Sequence, residues 1–301
     1  MAAAVPIEEL APGAQRQIEG RSLGHVLLSN RKFLVGIGIF VVLLLVAILG
    51  SQVAGPQALR SGAFKPRLGV GGPGVLLLGS TSVGQAVLAQ LFQSIPNSML
   101  VGLLAATLGT VIGAVIGLVS GYFGGKTDAA LRVLIDVFLS VPSLLFLILI
   151  ASLLRGVGVP LMAVIIGMFS WAWPARAVRA QVLSLKERPF IQVGLLSGLS
   201  GMEIVTGEIM PHVLPWLGAN FVNAFIAAIL AESGLSILGL GPQQDMTLGM
   251  MIYWSLNYGA LLQNLWWWWA TPVMTLIVLF LALYLVHVGL DEVSNPRLRG
   301  A

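Results

Sequence analysis

Few residues in this chain are of a type that does chemistry, and their spacing argues against most reactions. The nearest approach to a phosphate cradle is Gly124-Gly125-Lys126-Thr127. A phosphate loop needs a glycine five residues before the glycine of its Gly-Lys pair. Position 120 is Ser120, and Gly121 is one place off. The stretch also follows an apolar run rather than a strand, so it reads as a turn between two membrane helices. The histidines, His25, His212 and His287, are scattered without paired spacing. There is no Cys, which removes disulfides, thiolate zinc sites and Cys nucleophiles together. No Gly-x-Ser-x-Gly elbow and no His-Glu-x-x-His pair occurs. The expectation is that this chain has no catalytic, cofactor-binding or metal-binding residue and is not an enzyme.

Two carboxylates stand out because they lie inside apolar runs. A charge at the centre of a lone membrane helix costs about 2.5–3.5 kcal/mol on insertion scales, so neither Asp136 nor Glu232 is expected to face lipid. Asp136 lies about one turn inside its run; it either snorkels or pairs with Arg132, four residues earlier, or it lines a pathway. Glu232 precedes Ser233-Gly234, a weak helix-forming spot. It pairs locally, caps a break in its helix, or lines a pathway. The run Trp266 to Trp269 points four ways around a helix, which fits an interfacial aromatic belt better than a ligand cage.

The elements that must position these groups follow from composition. The chain has 301 residues and 31.8 kDa; 57% are hydrophobic and 9% charged, with a mean hydropathy of +0.94. A soluble domain carries about 25% charged residues, so a soluble enzyme is excluded. Apolar runs of about 20 residues occur at Phe33–Gly50, Met99–Tyr122, Val133–Leu154, Val159–Ala175, Leu214–Leu238 and Trp268–Val288, uncharged but for Asp136 in the third and Glu232 in the fifth. They are apolar all round, unlike the alternating segments of a membrane barrel. The fold class is an all-α integral membrane protein with six transmembrane helices.

Orientation comes from Lys and Arg near the span ends. With the N-terminus inside, twelve basic residues are inside: Arg16, Arg21, Arg31, Lys32, Lys126, Arg132, Arg176, Arg179, Lys186, Arg188, Arg297 and Arg299. Four are outside: Arg60, Lys65, Arg67 and Arg155. Both termini are therefore expected to be cytoplasmic, and the net charge of +4 reports topology rather than a nucleic-acid partner. Residues 1–32 form a cytoplasmic segment without the short apolar core of a removable signal, so 33–52 is expected to be a retained anchor. Residues 53–97 form an extracytoplasmic loop in which Val83, Val87, Leu88, Leu91 and Phe92 predict a short amphipathic helix at the outer interface. The core spans 98–290, and 291–301 is a cytoplasmic tail.

Between the fourth and fifth spans lies the one large cytoplasmic feature, Arg176 to Val213. Gly194, Gly198 and Gly201 recur at helical spacing, a stripe that would let another backbone approach closely. Pro211 and Pro215 are expected to stop the helix and return the chain to the bilayer. The segment reads either as a helix resting on headgroups or as a docking helix, over about 189–204, for a cytoplasmic partner.

The run WPARAVRAQVLSLKERPFIQVGLLSGLSGMEIVTGEIMPHVLP resembles the cytoplasmic loop of ABC-importer permeases. That family's loop has Glu-Ala-Ala, three residues, a glycine and a terminal proline. Here Gly198 and Pro211 match, while Gln192-Val193-Gly194 replaces the triplet. AESGLSILGLG (231–241), GYFGGKTDAALRVLIDVFLSVPSLL (121–145) and NPRLRG (295–300) are similar to the C-type permease of dipeptide, oligopeptide and nickel importers. The family's charged outer-loop pattern is replaced by the uncharged Gly79-Ser80-Thr81-Ser82-Val83-Gly84-Gln85-Ala86. The resemblance implies a permease subunit forming half of a translocation pathway for peptides by alternating access. Nickel or another small solute is the alternative cargo, and an ion-coupled secondary transporter the remaining class. It implies as partners a homologous second permease, cytoplasmic ATPase subunits or domains that hold ATP and magnesium, an extracytoplasmic substrate-binding protein and membrane lipid. The residues implied in ATPase coupling are Lys186, Glu187, Arg188, Gln192, Gly194, Gly198, Gly201 and Glu203. The bacterial inner membrane is the implied location.

Overall fold

A computed structural model describes residues 28–154 and 156–294. The expectations placed on His25, Arg155, the N-terminal basic residues 16 and 21, and the tail beyond 294 lie outside these residues. The described residues are helical, and their sole strand-like pairing is the isolated bridge between Ser80 and Ala86.

Helix α1 (Arg31–Ala54) begins where Asn30 caps it, its side-chain oxygen accepting from the Lys32 and Phe33 amides. It runs antiparallel to α10 (Trp266–Ser294), and the two helices meet at glycines. A Cβ on Gly36 would lie 2.6 Å from the Ala282 carbonyl oxygen, and one on Gly289 would lie 2.7 Å from Phe33 Cβ.

Helix α2 (Val87–Phe123) is the central post, 37 residues long. The separate amphipathic helix expected near 83–92 does not form. From Val87 onward it is the first part of α2, which continues through Pro96. Its apolar face is buried against protein rather than laid on an interface: Val87 packs with Met251, Ala260, Leu265 and Trp268.

Helices α3 (Gly125–Ser140) and α4 (Ser143–Leu153) are one run bent by 79°. Pro142 removes an amide donor and drives Val141 out of the helical region, to φ −100 and ψ 131. Helices α5 (Val159–Ser170) and α6 (Ala172–Lys186) bend by 41°. The short α7 (Pro189–Leu196) follows, and then α8 (Gly201–Ile237). Among the described residues four helices are long and apolar enough to cross a membrane, or up to six if each bent pair is one span.

Two expectations about the α7–α8 region need correcting. Residues 189–204 are not one helix: the chain breaks after α7, with Gly198 at φ +85. Nor do Pro211 and Pro215 stop a helix, since both lie within α8. A π-helical stretch at Ile204–Ile209 precedes Pro211, and such local adjustment absorbs the missing donor. One more element had no counterpart among the expected spans: α9 (Leu248–Asn257), capped by Thr247.

The closest packing joins α2 to α5 and α6. Gly109, Gly113, Gly117 and Gly121 form a stripe at four-residue spacing on α2. Their missing side chains admit the backbone of α6: a Cβ on Gly113 would meet the Trp171 carbonyl oxygen at 2.6 Å, and one on Gly117 the Ala175 carbonyl oxygen at 2.7 Å. Without a hydrophobic drive between helices in lipid, such small-residue contacts are what hold a bundle together.

Candidate functional site

A cavity of about 480 Å³ opens beside the bend between α3 and α4. Val141, Pro142 and Ser143 form one wall, Phe169 and Ser170 of α5 a second, Trp173 of α6 a third, and the face Asn220, Asn223, Ala224, Ala227, Ala228 and Ala231 of α8 the fourth. The spacing of three and four residues puts this last set on one helix face. The break at Val141–Pro142 interrupts the backbone ladder. That non-helical backbone lies along the cavity. The polar groups at the wall are amides and hydroxyls, Asn220, Asn223, Ser143 and Ser170; no Asp, Glu, His, Lys or Arg lines it.

The two singled-out carboxylates do not line this cavity. Asp136 pairs with Arg176, forty residues away on α6, rather than with Arg132. Glu232 is fully buried on the side of α8 that meets α9. It accepts hydrogen bonds from Ser236 Oγ and Thr247 Oγ1, both at 2.6 Å, and Ser233 Oγ lies at 3.5 Å. Thr247 Oγ1 in turn accepts from the Met250 amide that starts α9. The seam continues to α2: Ser98 Oγ accepts from the Leu248 amide at 2.9 Å, and Asn97 Nδ2 donates to the Met246 carbonyl at 2.8 Å. Glu232 thus ties α8 to the start of α9 through Thr247.

At one end of the bundle α2, α3 and α6 are fastened by an ion pair that spacing did not predict. Arg179 Nε and Nη2 donate to the two oxygens of Asp128, each at 2.6 Å, and Ser120 Oγ also donates to Asp128. A guanidinium fork on a carboxylate is the strong, geometrically specific form of such a pair. In the sequence only the placement of Asp128 in the first turn after a double glycine hinted at a fixed carboxylate, and nothing pointed to Arg179 as its partner.

The residues implied in coupling lie near this same end but do not act as one rod. Lys186 Nζ donates to the Tyr122 carbonyl at 2.6 Å and tethers α6 to α2. Glu203 and Ser200 form a reciprocal capping box that starts α8. Gly194 is buried against Leu199, and a Cβ on Gly201 would meet the Tyr122 ring at 3.1 Å. Gly198 stands apart in the break, and nothing lies within 4 Å of where its Cβ would be. The expected glycine stripe is thus divided: two members pack within the chain and one serves the turn. What remains outward is apolar and polar together: Leu196 is 89% exposed, Val193 and Met202 are each 61% exposed, and Glu187, Arg188 and Gln192 are exposed as well.

The Trp266–Trp269 run does point in several directions. Trp266 is exposed, Trp267 Nε1 donates to the Ser80 carbonyl at 3.1 Å, and Trp268 is buried. The uncharged 79–86 segment is held by neutral bonds, including Gln85 Nε2 to the Leu59 carbonyl at 2.6 Å.

Comparison with known proteins places this geometry. The family described as binding-protein-dependent transport system inner membrane component matches residues 109–300. An oligopeptide transport system permease protein of Mycobacterium tuberculosis is 34% identical over 177 residues, 58% of this chain and 61% of that protein. Its counterpart in Haemophilus influenzae is 34% identical over 56% of this chain and 50% of its own length. The matched region therefore spans less than two thirds of these relatives. The Lactococcus lactis protein of the same name is 29% identical over 73% of this chain and 75% of its own. In fold, a chain of the MetNI methionine ABC transporter, solved in an inward-facing conformation, superposes with a TM-score of 0.53 at 19% identity, covering 68% of this chain and 94% of that one.

Proposed function

We propose a transport role on this premise: the chain belongs to the family of binding-protein-dependent transport system inner membrane components. It is a multi-pass inner-membrane subunit. In the proposed function it supplies half of the pathway of an ATP-driven peptide importer, beside a homologous second permease. Both bent helix pairs cross the membrane in this reading, giving six spans with both termini cytoplasmic. The end bearing Lys186 and α7 is then cytoplasmic, and the loop before α2 is extracytoplasmic, where a substrate-binding protein delivers cargo. ATP and magnesium belong to cytoplasmic ATPase partners. These press on the outward apolar cluster of Val193, Leu196 and Met202, and the motion passes into α8, whose other part lines the cavity.

The observation that carries the proposal is the cavity walled by the break at Val141–Pro142. A backbone interruption needs water or protein beside it, and a pathway supplies water in one state and cargo in another. Alternating access then requires only that the two arrangements of the bundle bind ATP and cargo with different free energies. The wall favours peptide over a bare divalent ion, because amides and hydroxyls match peptide groups and no carboxylate or imidazole is present to hold a metal.

The test is reconstitution of the chain with its co-purified partners in liposomes loaded with ATP. Labelled tri-alanine should accumulate only with ATP and binding protein present, and removing the ATPase chains should stop it. Uptake by this chain alone, as a monodisperse monomer, would refute the reading.

A further inference from the structure

One wall residue of the cavity is not satisfied by the protein. Asn220 is 6% exposed, and its amide nitrogen is buried without a hydrogen-bond partner among the described residues. Buried amides are normally paired, so each exception needs an explanation. Asn223, one turn along the same face of α8, also lines the cavity and is exposed. Small residues, Ala224 and Ala227, follow on that face of the cavity.

An unpaired carboxamide offers one acceptor and two donors. Its natural complement is another amide, which presents a carbonyl and an N–H at once. Peptide bonds repeat that pair at every residue, whatever the side chains. The site carries no charge, so it selects neither a terminal ammonium nor a carboxylate. Neutral hydrogen bonds exchange readily with water, so such a site holds passing cargo loosely and does not trap it. Resting on the reading of this chain as a peptide permease, we propose that Asn220 and Asn223 form a subsite for the backbone amides of a peptide in transit.

The experiment uses the assembled transporter in liposomes, with tri-alanine and its backbone N-methylated analogue as probes. Asn220→Leu should lower tri-alanine uptake about tenfold, equivalent to about 1.4 kcal/mol. It should leave ATPase co-purification unchanged and lower uptake of the N-methylated analogue less, because that analogue keeps the carbonyls that accept from Nδ2 and lacks only the N–H groups that donate to Oδ1. Asn220→Asp, of nearly the same volume, should also lose uptake of tri-alanine because it removes both donors. An equal fall for both probes, or no fall for either, overturns the subsite. The native chain has no Cys, so Asn223→Cys gives a second and independent readout. Saturating tri-alanine should slow its labelling by a maleimide in the assembled complex. Unchanged labelling overturns the subsite, even if its cause is a lipid, a water or the second permease in the same space. A wild-type complex that imports no tri-alanine would instead overturn the transport reading, and the labelling experiment still decides the subsite.

Discussion

The glycine stripe on α2 makes the most quantitative prediction. Adding a methyl at Gly113 puts it 2.6 Å from the Trp171 carbonyl oxygen, and at Gly117 2.7 Å from the Ala175 carbonyl oxygen. Ordinary contact begins at 3.4 Å, so the shortfalls are 3.4 − 2.6 = 0.8 Å and 3.4 − 2.7 = 0.7 Å. Both obstacles are backbone atoms, and no rotamer change relieves them. The helix carrying them must move outward by nearly 1 Å, and overpacking of this kind costs about 1–3 kcal/mol. Better helix propensity returns about 0.5–1 kcal/mol per Gly→Ala change. Because one outward shift of the α6 end relieves both clashes, the double variant should cost less than the sum of the singles, a coupling that a double-mutant cycle reads directly. Gly38→Ala is the control: nothing lies within 4 Å of its added Cβ, so it should be neutral or slightly stabilising. The assay is the temperature of half-loss of monodisperse protein in detergent. Gly113→Ala and Gly117→Ala proteins as stable as Gly38→Ala would refute the close-approach argument, and strictly additive losses would refute the shared shift.

Three further outcomes follow from other contacts. Glu232→Ala leaves the Ser236 and Thr247 hydroxyls without their acceptor, at about 1–3 kcal/mol for each buried group; Glu232→Gln keeps an acceptor and should lose less, and equal melting of the two would contradict the tie. Arg179→Ala removes the fork on Asp128 and should cost about 1.5–3 kcal/mol, whereas Arg176→Ala breaks a pair whose side chains are 57% and 51% exposed and should cost less than about 1 kcal/mol; thermal denaturation ranks them, and the reverse order would refute it. Leu196→Ser should insert normally yet weaken ATPase co-purification roughly tenfold or more, while Gly198→Asn should keep more of it than Gly198→Leu, because the left-handed backbone there is penalised least in Asn; undiminished co-purification for Leu196→Ser would remove α7 from the docking surface.

That the chain is built of long apolar helices was legible in the sequence, because runs of apolar residues of that length read directly from composition. The bend at Pro142 was visible only as an interruption, and its 79° angle depends on what packs on either side. The coupling region shows where spacing misleads. Gly194, Gly198 and Gly201 have helical periodicity, but periodicity cannot say whether a glycine serves close packing or a left-handed turn, and Gly198 does the latter. The stripe from Gly109 to Gly121 has the same kind of spacing with the opposite meaning, and it was masked by the apolar run around it. Proline rules written for water failed at Pro211 and Pro215, because in a membrane segment leaving the helix exposes more backbone than staying in it. The cavity was illegible: Asn220 comes to share its wall with Pro142 and Trp173 only through the fold. Glu232 announced itself by charge, yet its direction, away from the cavity and into α9, is set by Thr247, fifteen residues later.

The seam joining α9 to α2 and α8 is closed by hydrogen bonds at Ser98, Asn97 and Glu232, so its resistance depends on humidity. Parted into hydrocarbon, each bared group forfeits its partner at a cost of several kcal/mol. Parted into water, it exchanges one partner for another at a net loss of about 0.5–1.5 kcal/mol. Such a closure tells a dry neighbourhood from a wet one without any moving part of its own.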